Sequence, residues 1–369
     1  MRRCGKVVLL CTLAACTTSP KQPRSVTEGE ASQVRTRSTA RPTRPGRFAD
    51  DGPRGCGLIA LLASNDDEGV SSIRTVRPDG TSMRILTEGS TLFDPIWSPD
   101  ARLLAFPVWE RGRDWLHVIK PDGSDETRVA PLPPNPWIAW APDGHRLTAA
   151  SSSWGLTRSI FVISLEGRRR RVALGKHPSW SPDGSKIAYS SGRIGRPGGG
   201  LFVVDPRTKE GRQLTNPTDA SDAYPRWSPD GRTILFLRYP AGQTNEDGPY
   251  ADLWSYDVAS PTATQIRDHQ NDLNGIDEPT WSPSGKSITY SLVADDSIQT
   301  VVARPDGSNP QLVRTHQRQS AYADWSPDGR SLIFSAYMGI RVARARTGRS
   351  WFVVRDGKVY WGQPDWAPC

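Results

Sequence analysis

Seven side chains in this chain of 369 residues stand three places ahead of a tryptophan in a recurring motif: Asp94, Trp137, His177, Tyr224, Glu278, Tyr322 and Gln363. All seven are polar or aromatic, and none is aliphatic. Rings beside hydrogen-bonding groups dominate recognition sites. These positions therefore suggest the holding of a partner. The alternative is that they cap backbone groups of their own strands and pack against neighbouring ones.

Patterns that would do covalent chemistry are missing. No Gly-x-Ser-x-Gly elbow occurs, so the nucleophile turn of an α/β-hydrolase domain is absent from the sequence. Gly285-Lys286-Ser287 matches the end of a phosphate-binding loop, but Thr280 stands where the first glycine should be. That stretch also reads as a hairpin rather than the entry to a helix. No His-Glu-x-x-His is present. Of the five histidines, His177, His269 and His316 precede expected inner strands and could converge, yet their depths do not match as a ligand set. The acidic runs at 64–69 and 245–248 lack the spacing of a calcium loop. The sequence predicts no catalytic residue, no metal and no cofactor.

The elements that must position the seven side chains come from a repeat. Trp-Ser-Pro-Asp or a near relative occurs at Trp97, Trp140, Trp180, Trp227, Trp281 and Trp325, and a truncated copy closes the chain at Trp366. The spacings are 43, 40, 47, 54, 44 and 41 residues. Each copy is followed by two apolar β-rich runs, a Pro-Asp-Gly-like turn and a third run. Asp-Gly supplies the left-handed corner of a hairpin turn, and the proline sets φ before it. With 33 Gly and 32 Pro, the chain is far above the usual share of about 12%. Such punctuation suits short strands and argues against a helical bundle. A repeat of ~40–45 residues built this way is the signature of propeller blades.

The pattern resembles the TolB-like β-propeller repeat, a cousin of the WD-type repeat, and the resemblance covers residues 56–369. The chain lacks the N-terminal α/β domain of the family's namesake and carries a different segment in its place. The fold class implied is all-β, a propeller of four-stranded antiparallel blades. Six complete turns would allow six blades. The extra second strand at 58–64 and the extra first strand at 363–366 complete each other and make seven, with ~45 residues per blade. In such a ring the motif tryptophans are inter-blade core. The short turns lie on one face, and the variable connections at 191–200, 239–252 and 267–277 lie on the other, where function usually sits.

The N-terminus reads as an address. Arg2, Arg3 and Lys6 precede an apolar stretch from Val7 to Leu13, too short to span a membrane. Leu13-Ala14-Ala15-Cys16 resembles the lipobox of bacterial lipoproteins, which implies cleavage before Cys16 and lipidation of its thiol; an ordinary signal peptide cut nearby is the alternative. Thr17 gives no aspartate retention signal. The expected organisation is a signal peptide over 1–15, a tether over 16–55 and a propeller over 56–369. The tether holds almost no large apolar residues and cannot build a core. As a flexible chain it would reach roughly 35 Å.

The formal net charge is +8, but residues 1–54 carry +7 of it. The body is nearly neutral, which argues against a nucleic-acid partner. Once residues 1–15 are removed, three cysteines remain: Cys16, Cys56 and Cys369. Aligning the first and last repeats with residues 180–190 puts Cys56 and Cys369 at consecutive places in one hairpin turn. An extracytoplasmic address permits a disulfide there, two free thiols being the alternative. The expected protein is a monomeric, membrane-anchored, periplasmic or otherwise extracytoplasmic lipoprotein that binds a protein or peptide at its channel mouth. The competing expectation is a lyase or hydrolase acting on a carbohydrate or peptide at that mouth.

Overall fold

Each repeat folds into one antiparallel sheet because its runs alternate inward and outward over four strands joined by tight turns. The computed structural model describes residues 57–65, 69–151, 159–192, 196–242, 251–268, 275–294, 297–313, 320–336, 339–356 and 360–368. The chain divides into Met1–Arg44 and Pro45–Cys369, and every described residue belongs to the second unit. Seven sheets form a ring, a seven-bladed β-propeller, and no helix occurs among the described residues. Six blades are therefore ruled out.

Blades 2 to 7 each take their innermost strand from the segment that ends in the motif tryptophan: Ile96–Trp97, Pro136–Trp140, Lys176–Trp180, Ala220–Trp227, Gly275–Trp281 and Ser320–Trp325. Blade 1 is composite. Its Ile59–Asn65, Val70–Val76 and Arg84–Gly89 come from the start of the propeller. Its inner edge is supplied by Tyr360–Trp361 and Asp365–Trp366, both paired antiparallel to Ile59–Asn65. Ala367 N–H donates to Leu58 O at 2.8 Å and Gly362 N–H to Leu62 O at 3.0 Å. The ring thus closes by interleaving the two ends of the repeat array.

The hairpin after each tryptophan is held by its own side chains. Ser98 Oγ donates to Asp100 Oδ1 at 2.6 Å and accepts the Leu103 N–H at 3.0 Å. The same pair of bonds recurs at Ser228, with Asp230 and the Thr233 N–H, and at Ser326, with Asp328 and the Ser331 N–H. The motif is turn chemistry, which is why it repeats. On the outer strands, a Cβ at Gly307 would lie 2.8 Å from Ile266 O of the preceding blade, so that close approach requires glycine.

The core is a series of layers between blades. Leu235, Leu237 and Tyr239 of blade 5 pack with Ile276, Ile288 and Tyr290 of blade 6, and Trp281 joins them. Ile59 and Leu61 of blade 1 pack with Ile333 and Ile340 of blade 7, with Trp366 against them. The motif tryptophans are inter-blade core, as expected. Each such side chain contributes roughly 1.5–3 kcal/mol of apolar burial. This layering fixes the inner strands and hence what projects from them.

Candidate functional site

The innermost strands are irregular where the candidate residues sit. The ladder slips at Lys176/Ser179, Ala223/Arg226 and Asp277/Thr280. The skipped residues include His177, Tyr224 and Glu278, at φ of +51°, +54° and +52°. A side chain in this left-handed region costs on the order of 1–2 kcal/mol. Each also precedes a proline, which ordinarily drives the preceding residue to extended conformations. Such bulges re-aim side chains and cluster near functional sites.

The bulges bring several of the seven positions together. His177 of blade 4 and Tyr224 of blade 5 stack, with ring centroids 3.8 Å apart and planes 27° from parallel. His177 Nδ1 lies 2.9 Å from Ser190 Oγ. Burial, with Lys176 and Arg226 nearby, pushes the imidazole down to about 3, so it is neutral at physiological pH. Trp137 of blade 3 lies under the Arg226 guanidinium, which is 5.3 Å from the ring centroid. Arg226 belongs to blade 5, so this contact reaches past blade 4. Glu278 and Asp277 of blade 6 attract Arg226 electrostatically. Burial raises Asp277 above the usual carboxylate range, and its Oδ1 accepts the Glu278 N–H at 2.9 Å.

Asp94 and Gln363 meet elsewhere on the ring. Asp94 Oδ1 accepts the Gln363 N–H at 3.0 Å and is packed against Gly362. Burial pushes Asp94 up to about 7. This contact ties the closing strand to blade 2. Tyr322 falls in Ser320–Trp325, and its side chain lies outside the described residues, as do Cys16, Cys56, Cys369, His269 and His316. Among the described residues no cluster of His, Cys, Asp and Glu has the geometry to hold a metal ion. A depression of 280 Å³ lined by Leu58, Thr75, Arg77, Arg84 and Asp122 sits at the tight turns of blades 1 and 2, away from these residues.

Arg226 was not among the seven candidates, although the sequence carries a signal for it. The residues directly before the motif tryptophans are Ile96, Ala139, Ser179, Arg226, Thr280, Asp324 and Asp365, and only one is a cation. Three of them reach the next blade's motif tryptophan. Ser179 Oγ accepts the Trp227 N–H at 3.4 Å, Asp324 Oδ2 accepts the Trp366 N–H at 3.1 Å, and Asp365 Oδ2 accepts the Trp97 N–H. A guanidinium has no acceptor to offer, and Arg226 turns toward Trp137 instead. A second arginine lies on the same blade. Arg238 makes a two-pronged ion pair with the fully buried Asp222, at 2.7 and 2.9 Å, and stacks 4.1 Å from the Trp254 ring.

Comparison with known proteins adds a lineage to this geometry. The TolB beta propeller domain family matches residues 79–245 and 177–339. Dipeptidyl-peptidase 5 of Porphyromonas gingivalis is 30% identical over 219 residues, which are 53% of this chain and 30% of that protein. The uncharacterized peptidase YuxL of Bacillus subtilis is 26% identical over 178 residues, 46% of this chain and 24% of that one. The chain therefore spans a third or less of either peptidase. Among solved structures, the β-propeller domain of the Trilobed protease from Pyrococcus furiosus superposes with a TM-score of 0.61. That match has 13% identity and covers 82% of this chain and 95% of the other, a likeness of fold alone.

Proposed function

The chain belongs to the TolB beta propeller domain family, and from that premise we propose that it is a non-enzymatic scaffold that holds a protein or peptide at the mouth of its channel. The observation that supports this most is the cluster of Trp137, His177, Tyr224 and Arg226. Three adjacent blades bring rings and one cation near one another, and two of the rings, His177 and Tyr224, stand on backbone held in costly bulges. Aromatic and arginine side chains are the residue types that carry binding energy at interfaces. His177 is buried and neutral, stacked on Tyr224, so it serves as a platform rather than a proton carrier.

The scaffold is proposed to be anchored through lipid on Cys16, with residues 16–55 as its tether and residues 56–369 as the binding body, outside the cytoplasm. Mass spectrometry of the membrane-derived protein tests the anchor, and an unmodified Cys16 thiol would refute it.

The experiment for the site compares partner capture by the native protein, W137A and Y224A after cross-linking in its own membranes. Each substitution is expected to weaken capture by a factor corresponding to ~2 kcal/mol, with melting temperature nearly unchanged. Loss of melting temperature with capture intact would overturn the reading. The peptidase relatives keep a hydrolytic reading open. Turnover of peptide substrates by purified protein would favour that reading.

A further inference from the structure

Positive charge is concentrated at one corner of the ring. Residues 166–171 read Glu-Gly-Arg-Arg-Arg-Arg, and residues 205–212 read Asp-Pro-Arg-Thr-Lys-Glu-Gly-Arg. The first segment is the last turn of blade 3 and the start of its outermost strand, Arg169–Leu174. The second is the corresponding turn of blade 4, running into its outermost strand, Gly211–Gln213. Together they carry +4, whereas residues 55–369 as a whole carry +1. The rest of the body is therefore net negative.

The fold joins the two segments. Arg170 Nη1 donates to Arg207 O at 2.9 Å, and its Nη2 donates to Pro206 O. These bonds draw like charges together instead of pairing them. Arg168 to Arg171, Arg207, Lys209 and Arg212 are all exposed. Asp205 is already shared by Lys186 and Arg207, at 3.5 and 3.8 Å, and Glu166 is drawn by Arg168. Among the described residues, Arg169, Arg170, Arg171 and Arg212 make no ion pair. Protection of a sheet edge needs less charge than this. The other six outermost strands, Arg84–Gly89, Thr127–Pro131, Gly211–Gln213, Thr262–Arg267, Gln311–Leu312 and Ser350–Arg355, each have a net charge of +1 or less. Arg169–Leu174 carries +3.

The position of the cluster names what covers it. Ile59 pairs with Val76, so Gly57 stands beside the turn at 77–81 of blade 1. The turns at 164–168 and 205–210 are the equivalents of that turn in blades 3 and 4, on the same face of the ring. The chain preceding Gly57 thus joins the ring at the face that carries the arginines. Residues 16–54 add +4 of their own. With Cys16 lipidated, a membrane is tethered to that face, and docking on it becomes an intramolecular event. Guanidinium forks match phosphate bidentately, and basic clusters beside a lipid anchor are drawn to anionic headgroups.

We infer that Arg168, Arg171, Arg207, Lys209 and Arg212 form a docking surface for the phosphates of an anionic phospholipid membrane, which turns the variable connections of the ring away from the bilayer. This rests on the lipid-anchor reading and deepens it.

The test places full-length lipidated protein on vesicles of phosphatidylcholine, with or without phosphatidylglycerol. Phenylglyoxal labels the arginines, and peptide mass spectrometry follows each one. Arg168, Arg171 and Arg212 are expected to label roughly threefold or more slowly on the anionic vesicles, a difference that high salt removes. Arg111, in the hairpin on the opposite face of blade 2, should label equally on both. R168Q/R171Q/R212Q should keep its melting temperature and lose the slowing at Arg207. Equal labelling on the two kinds of vesicle overturns the inference. Protection by soluble polyglutamate without protection by anionic vesicles names an acidic polypeptide instead, and also overturns it. Protein that washes off the neutral vesicles refutes the lipid anchor. Its retention on anionic vesicles, lost in R168Q/R171Q/R212Q, would then still support the surface, and loss from both would overturn both readings.

Discussion

Asp94 of blade 2 accepts the backbone N–H of Gln363 across 269 positions of sequence, and with the Trp97 N–H to Asp365 bond it stitches the closing strand to the blade after it. The carboxyl group is so deeply buried that it titrates near 7 instead of 3.8. In the unfolded chain it ionises near 3.8. Between those two values the native state holds a proton that the unfolded state releases, so stability falls as pH rises through this window and levels off above it. Asn keeps the acceptor and has no charge to desolvate. D94N is expected to match native protein near pH 4 and to exceed it by on the order of 3 °C in melting temperature at pH 8. A variant less stable than native at pH 8, or a difference that does not change with pH, would count against this account.

The motif tryptophans are alike in sequence and unlike in bonding. Trp140 Nε1–H donates to Ile96 O, and Trp281 Nε1–H to Arg226 O, both at 3.1 Å. The Trp325 Nε1–H is buried with no acceptor among the described residues. W140F and W281F should each cost about 1 kcal/mol more than W325F, because each leaves a carbonyl without its donor. Denaturant midpoints measure this directly. Equal losses at all three positions would show that ring volume alone matters.

Glu278 sits at φ +52°. Glycine tolerates that conformation and a β-branched residue does not. E278V should therefore be less stable than E278G by about 1–2 kcal/mol. If valine is the better tolerated of the two, the bulge is not strained.

The repeat told the blade number and the turn chemistry because both are local. Ser98 and Asp100 bond within one hairpin, and the spacing of seven tryptophans counts the blades. The second and first strands at the two ends of the array were legible for the same reason. What the inner strands do to one another was not legible. Nothing near His177 in sequence says that its ring will stack on Tyr224, 47 residues later, or that a left-handed bulge will aim it there. Asp94 read as a candidate binding residue like Trp137, and nothing near it in sequence says that its Oδ1 will accept the Gln363 N–H. Arg226 was overlooked because its meaning lies in contrast with Ser179, Asp324 and Asp365, whose cross-blade bonds only three dimensions reveal.

The pairing of Ile59 with Trp366, and of Ala367 N–H with Leu58 O, carries the ladder to the residues beside Gly57 and Pro368. Cys56 and Cys369, the next residue in each direction, lie outside the described residues. A disulfide between them is expected to leave no titratable thiol from this pair in unfolded, unreduced protein. Its loop of over 300 residues would stabilise by at most roughly 5 kcal/mol in the chain-entropy account. Two titratable thiols per chain would rule it out.

The composite first blade also sets a timetable for biosynthesis. Residues 59–89 leave the ribosome ahead of the other strands of the ring but have no inner edge until residues 360–366 arrive. Blades 2 to 7 can pair internally while the chain is still being made, whereas blade 1 waits with Ile59–Asn65 exposed along one side. A chain stalled before residue 360 carries an open strand edge, the kind of surface that recruits chaperones and proteases. Ring closure is therefore a checkpoint on delivery of the chain as far as Trp366.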